Sequence, residues 1–177
     1  TPLQRAAAKG HVEVVRKLLR HQDCSIQSHT GSINNVHFNK STALHLAAQA
    51  GHPTVAKLLL DHSDSENMSI QSYNRKGRTP LHTAVWHGST DVLKLFLRRP
   101  NIDVNSTTRH GKGLLQLAAE RGHLKILRLL LENKDHKDID VNARDMSNPS
   151  KPGLTALQLA QQRSNTEITG LRLQHGA

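Results

Sequence analysis

A chain of 177 residues carries 24 Lys and Arg against 14 Asp and Glu, a formal charge of +10, and only four aromatic residues, Phe38, Tyr73, Trp86 and Phe96. No run approaches the ~18 apolar residues of a membrane-spanning helix, no basic-then-apolar leader precedes a cleavage site, and the single Cys24 excludes an internal disulfide or a cysteine-based zinc site. So few rings point either to disorder or to a core of small and aliphatic side chains in thin layers, and internal repetition decides between the two.

Five repeats run in phase along the chain. The first, 1–41, opens on Thr1-Pro2-Leu3-Gln4 and continues with Ala6, Gly10, Val14 and Leu19 at its sixth, tenth, fourteenth and nineteenth slots. The second, 42–78, opens on Thr42-Ala43-Leu44-His45 and places Ala47, Gly51, Val55 and Leu60 there. The third, 79–112, opens on Thr79-Pro80-Leu81-His82 and places Ala84, Gly88, Val92 and Leu97. The fourth, 113–154, opens on Gly113-Leu114-Leu115-Gln116 and places Ala118, Gly122, Ile126 and Leu131. The fifth, 155–177, keeps Thr155-Ala156-Leu157-Gln158, Ala160, Ile168 and Leu173, but Ser164 replaces the glycine and Gly170 interrupts the second helix.

The third repeat shows the local physics. Thr79 is a good helix N-cap, and Pro80 suits the first helical position because its missing N–H would be unbonded there anyway. The first helix is predicted to reach about His87, with Gly88 as a left-handed stop. A second helix is predicted from about Thr90 to Arg98, with Val92, Leu93, Phe96 and Leu97 on one stripe. Asp103-Val104-Asn105 reads as a short extended segment, and Gly111 and Gly113 read as turn residues leading into the next repeat. The small alanine at the sixth slot lets neighbouring helices approach closely, which explains the scarcity of rings.

These motifs, together with the Ala-Ala pairs at 47–48 and 118–119, Gly-His at 10–11, 51–52 and 122–123, and Asp-Val-Asn at 103–105 and 140–142, resemble the ankyrin repeat family over essentially the whole chain. The resemblance implies an all-α solenoid of helix-turn-helix repeats with extended fingers, here one domain spanning 1–177. It implies binding through the fingertips and the exposed end of each first helix. The chain is expected to be a piece of a longer protein. Its long fingers at 28–41 and 143–154 read as tolerated loop insertions.

Chemistry of the active-site kind does not emerge. There is no His-Glu-x-x-His, no phosphate loop and no nucleophile elbow, so no cofactor, metal or catalytic residue is expected and an enzyme is not. His45 and His82 share the fourth slot with Gln4, Gln116 and Gln158. Glutamine hydrogen-bonds but is a poor zinc ligand and proton carrier, so that slot reads as structural. Arg16, Lys17 and Arg20 with Glu13 read as a solvated outer face.

The excess charge sits mainly in 1–41 (+4) and 79–112 (+3). Carried onto this chain, the family's partner-binding slots hold Arg75, Lys76, Arg78, Trp86 and His87 in the third repeat. They hold Arg109, His110, Lys112, Glu120 and Arg121 in the fourth, of which the basic residues Arg109, His110, Lys112 and Arg121 are the expected contacts. The expectation is a basic groove with one Trp in it. Trp86 is read either as a contact anchor or as packing against the next first helix. The leading function is a monomeric, intracellular protein–protein interaction module for an acidic or phosphorylated segment, with no membrane role. The alternatives are nucleic-acid binding through the same patch and a regulatory or sensing arm of a larger protein.

Overall fold

The computed structural model describes residues 1–22, 41–66, 70–100, 102–132, 139–146 and 153–162. Cys24, most of the 28–41 finger and the second helix of the fifth repeat lie outside the described residues. Among those described there are helices and no strand. The helices come two to a repeat: α1 (Pro2–Lys9) and α2 (Val12–Gln22), α3 (Ala43–Ala50) and α4 (Pro53–Glu66), α5 (Pro80–His87) and α6 (Thr90–Leu97), and α7 (Leu114–Arg121) and α8 (Leu124–Glu132). The fifth repeat contributes α9 (Ala156–Gln162). No described helix is long and apolar enough to cross a membrane.

The opening motif does what its residues dictate. Thr1, Thr42, Thr79 and Thr155 each accept the backbone N–H three residues on, from Gln4, His45, His82 and Gln158, through the side-chain hydroxyl. Gly10, Gly51, Gly88 and Gly122 end the first helices at φ of 72, 72, 77 and 72°. At Gly10 a second constraint operates, because a Cβ there would lie 2.7 Å from the His52 ring. His52 Nε2 donates to the Ala8 carbonyl at 3.2 Å, so the histidine after the second repeat's turn glycine caps the helix end of the first.

The described chain divides into two compact bodies, Thr1–Leu95 and Phe96–Ala177, with the boundary inside α6. In the N-terminal body α1, α3 and α5 lie side by side, and α2 packs on α4 behind them. Ala6, Ala7, Ala47, Ala48 and Ala84 are buried where the first helices meet, and Val15, Val55, Ala56, Leu59, Leu60, Val92 and Leu93 fill the second layer. Each buried aliphatic contributes roughly 1.5–3 kcal/mol relative to exposure. In the C-terminal body α7 packs on α8 and α9, burying Leu114, Leu117, Ala118, Ala119, Ile126, Leu127, Leu130 and Ala160.

Three readings of the sequence need adjustment. Val14 holds the same slot as Val55 and Val92 but is 48% exposed, while both counterparts are fully buried. Among the described helices α4 packs on both α2 and α3, and α2 packs on α1 and α4. The second helix of the third repeat ends at Leu97 rather than Arg98. Asp103-Val104-Asn105 is a turn, not an extended segment: Asp103 Oδ1 accepts from Asn105 N at 2.9 Å, and Ser106 N donates to the Asp103 carbonyl at 3.3 Å.

Candidate partner-binding surface

The fourth slot ties the first helices α1, α3 and α7 to the finger that follows each. Gln4 Nε2 donates to the Ser41 carbonyl at 2.7 Å, and Gln116 Nε2 donates to the Ala143 carbonyl at 2.6 Å. His45 Nε2 lies 2.9 Å from the Arg78 carbonyl and therefore carries the proton, while Nδ1 accepts from Thr42 N at 3.2 Å. Burial is the main force on this imidazole and lowers its pKa from 6.5 to about 4, against the hydrogen bonds to the Arg78 and Ser72 backbone, which raise it. The neutral ring is a structural clamp, as the glutamines in its slot imply.

The finger that leads into the third repeat, called the third finger, is built on Asn74, and the one that leads into the fourth repeat is the fourth finger. Its Oδ1 accepts from Lys76 N at 2.9 Å and from Arg78 N at 3.1 Å, and its backbone N donates to the Arg78 carbonyl at 2.9 Å. Gly77, at φ 67°, closes the turn by donating to the Asn74 carbonyl at 2.9 Å. Arg75 and Lys76 are exposed at the tip. The Arg78 guanidinium lies over Trp86, 3.5 Å from the ring centroid, and Trp86 is half-buried. Trp86 therefore faces an arginine of its own finger. His87 is exposed, with Nδ1 3.0 Å from the Thr83 carbonyl of the preceding turn.

The fourth finger repeats the design with Thr108 in the place of Asn74. Thr108 Oγ1 accepts from Lys112 N at 3.1 Å, Thr108 N donates to the Lys112 carbonyl at 2.9 Å, and Gly111 N donates to the Thr108 carbonyl at 2.9 Å. Arg109 and His110 are exposed at this tip, and Arg121 is exposed at the end of α7. The next finger joins this one through Met146 N, which donates to the Gly111 carbonyl at 2.9 Å. Lys112 is engaged locally: its Nζ lies 2.7 Å from Glu120 Oε2.

The expected site residues thus form two clusters. Arg75, Lys76, Arg78, Trp86 and His87 belong to the N-terminal body, and Arg109, His110, Lys112 and Arg121 to the C-terminal body. Among the described residues no three His, Cys, Asp or Glu side chains group to hold a metal ion. The buried Asn74 and Thr108, which shape both tips, were not anticipated from the sequence. A polar residue five positions ahead of each repeat was the available signal.

A model of three ankyrin-repeat copies matches residues 3–108, and a single ankyrin repeat matches 110–146. The chain belongs to the ankyrin repeat family. As an ankyrin-repeat chain it is similar to the nuclear factor NF-kappa-B p105 subunit of Gallus gallus, 29% identical over 178 residues, covering 100% of this chain and 16% of the relative. It is also similar to the neurogenic locus notch homolog protein 1 of Mus musculus, 33% identical over 136 residues, covering 77% of this chain and 5% of the relative. The leucine-rich repeat serine/threonine-protein kinase 1 of Caenorhabditis elegans is 26% identical over 153 residues, 76% of this chain and 6% of the relative. The chain thus spans 5–16% of the length of these relatives. Ankyrin repeats are protein–protein interaction modules without catalytic chemistry of their own.

Proposed function

We propose that the chain docks acidic or phosphorylated segments of a partner protein at its third fingertip and at its fourth, each tip a contact surface of its own body. The observation that carries this reading is the shared tip design. In each finger a buried polar side chain, Asn74 or Thr108, holds a tight turn that presents basic side chains to solvent. A turn fixed before binding loses little conformational entropy on docking. Arginine forks suit carboxylate and phosphate oxygens, so Arg75, Arg78 and Arg109 are the principal contacts, with Lys76, His110 and Arg121 adding field and Lys112 partly offset by Glu120. The module acts as an intracellular monomer.

The test is the triple variant Arg75→Glu, Arg78→Glu, Arg109→Glu, titrated with a fluorescent Glu-rich peptide and its phosphoserine counterpart. Affinity should fall by about tenfold or more; Arg75 and Arg109 are exposed, so charge reversal there acts on association rather than folding, and a thermal melt of the triple variant isolates any loss at half-buried Arg78. Unchanged capture refutes the fingertip assignment. Tighter binding of a labelled oligonucleotide than of either peptide at physiological salt moves the patch to nucleic acid.

A further inference from the structure

The third and fourth repeats share one more relation. The residue just before each repeat reaches the side chain eight positions on, at the exposed end of the first helix. In the third repeat Arg78 reaches Trp86, its Cζ 3.5 Å from the ring centroid. In the fourth Lys112 reaches Glu120, its Nζ 2.7 Å from Oε2, with the two side chains only 25% and 16% exposed. The backbone positions correspond, and the chemistry of the partner differs. An indole face orients a guanidinium while adding no formal charge of its own. A carboxylate occupies the ammonium it meets, so an incoming acid has to displace it and then sits beside its negative charge.

We propose that the eighth slot sets the acid selectivity of each finger: Trp86 shapes the third finger to receive the partner's carboxylate or phosphate, and Glu120 acts as a built-in competitor that mutes Lys112 in the fourth. This inference rests on the acidic-partner reading above and names the finger that carries it. The residue types agree with the division. Arginine held flat on a ring offers a planar fork suited to two oxygens, whereas lysine is a flexible point charge that an internal carboxylate readily claims.

The slot itself supplies benign variants, because Gln49 and Gln162 occupy it in the second and fifth repeats. A labelled phosphoserine peptide with flanking Glu is titrated into the wild-type chain, Trp86→Gln, Trp86→Tyr and Glu120→Gln, each with a thermal melt to verify folding. Trp86→Gln should weaken binding about threefold or more, and Trp86→Tyr, which keeps a ring under Arg78, should largely retain it. Glu120→Gln should tighten binding about threefold by releasing Lys112. In a Lys112→Met background Glu120→Gln should lose that gain. Wild-type binding that Glu120→Gln and Trp86→Gln both leave unchanged overturns the inference alone. A wild-type chain that ignores the acidic peptide overturns the acidic-partner reading and this inference with it. If Trp86→Gln fails to fold, the Glu120→Gln and Lys112→Met pair decides.

Discussion

His45→Gln separates the structural role of the fourth slot from the titration of the ring that fills it. At neutral pH the imidazole is buried and neutral, accepting from Thr42 N and donating to the Arg78 carbonyl. Glutamine supplies both functions: Gln158 Oε1 accepts from Thr155 N at 2.9 Å, and Gln116 Nε2 donates to the Ala143 carbonyl at 2.6 Å. The variant should therefore fold with a stability within about 1 kcal/mol of wild type at pH 7. Acid distinguishes them. The unfolded histidine takes up its proton below its ordinary value of 6.5, whereas the folded ring resists protonation until about 4. Between those values the unfolded chain binds more protons, so stability falls as pH falls. The full contribution is present above 6.5, and about 3 kcal/mol is lost by pH 4, at roughly 1.4 kcal/mol for each tenfold change in proton affinity. Urea denaturation of both proteins across this range cancels the carboxylates they share. The curves should diverge as pH drops, with His45→Gln the more stable by up to about 3 kcal/mol. Parallel curves would refute the assignment of His45 as a buried neutral clamp.

Three further outcomes follow from the packing. Gly10→Ala should lower stability by more than about 1 kcal/mol in urea denaturation, because the new Cβ meets the His52 ring at a residue already at φ 72°. Asn74→Ala removes the acceptor for two fingertip N–H groups and should cost about 1–2 kcal/mol, with faster amide exchange at Lys76 and Arg78 than at Lys112. Val55→Ala should cost about 2 kcal/mol and Val14→Ala less than about 0.5, although both occupy one slot; equal losses in thermal melts would contradict the difference in burial.

Most of the fold is legible in the sequence because its determinants are local and recur. Thr79-Pro80 starts a helix through a hydroxyl cap, Gly88 stops it, and the alanine at the sixth slot reports close helix approach, all readable from residue type and phase. Substitution within the slot, His45 against Gln116, discloses a hydrogen-bonding role by residue type alone. The turn at Asp103 was hidden because Asp-Val-Asn fits both an extended strand and an Asx turn, and the side-chain bond to Asn105 decides between them. Val14 shows a different limit: phase states which slot a residue holds, while burial also requires a neighbour. The fingertip charges could be counted but not paired. That Arg78 lies on Trp86 and Lys112 on Glu120 depends on a reach of eight residues between finger and helix, which no short-range pattern encodes.

The measurement closest to the central claim is a salt titration of peptide binding by the wild-type chain. A labelled Glu-rich peptide is compared with the same peptide carrying Gln in place of every Glu, at low and at physiological salt. The account expects the acidic peptide to bind under both conditions, more weakly as salt screens the fingertip charges, and the Gln peptide not to bind. Equal affinity for the two peptides, or binding indifferent to salt, would contradict it.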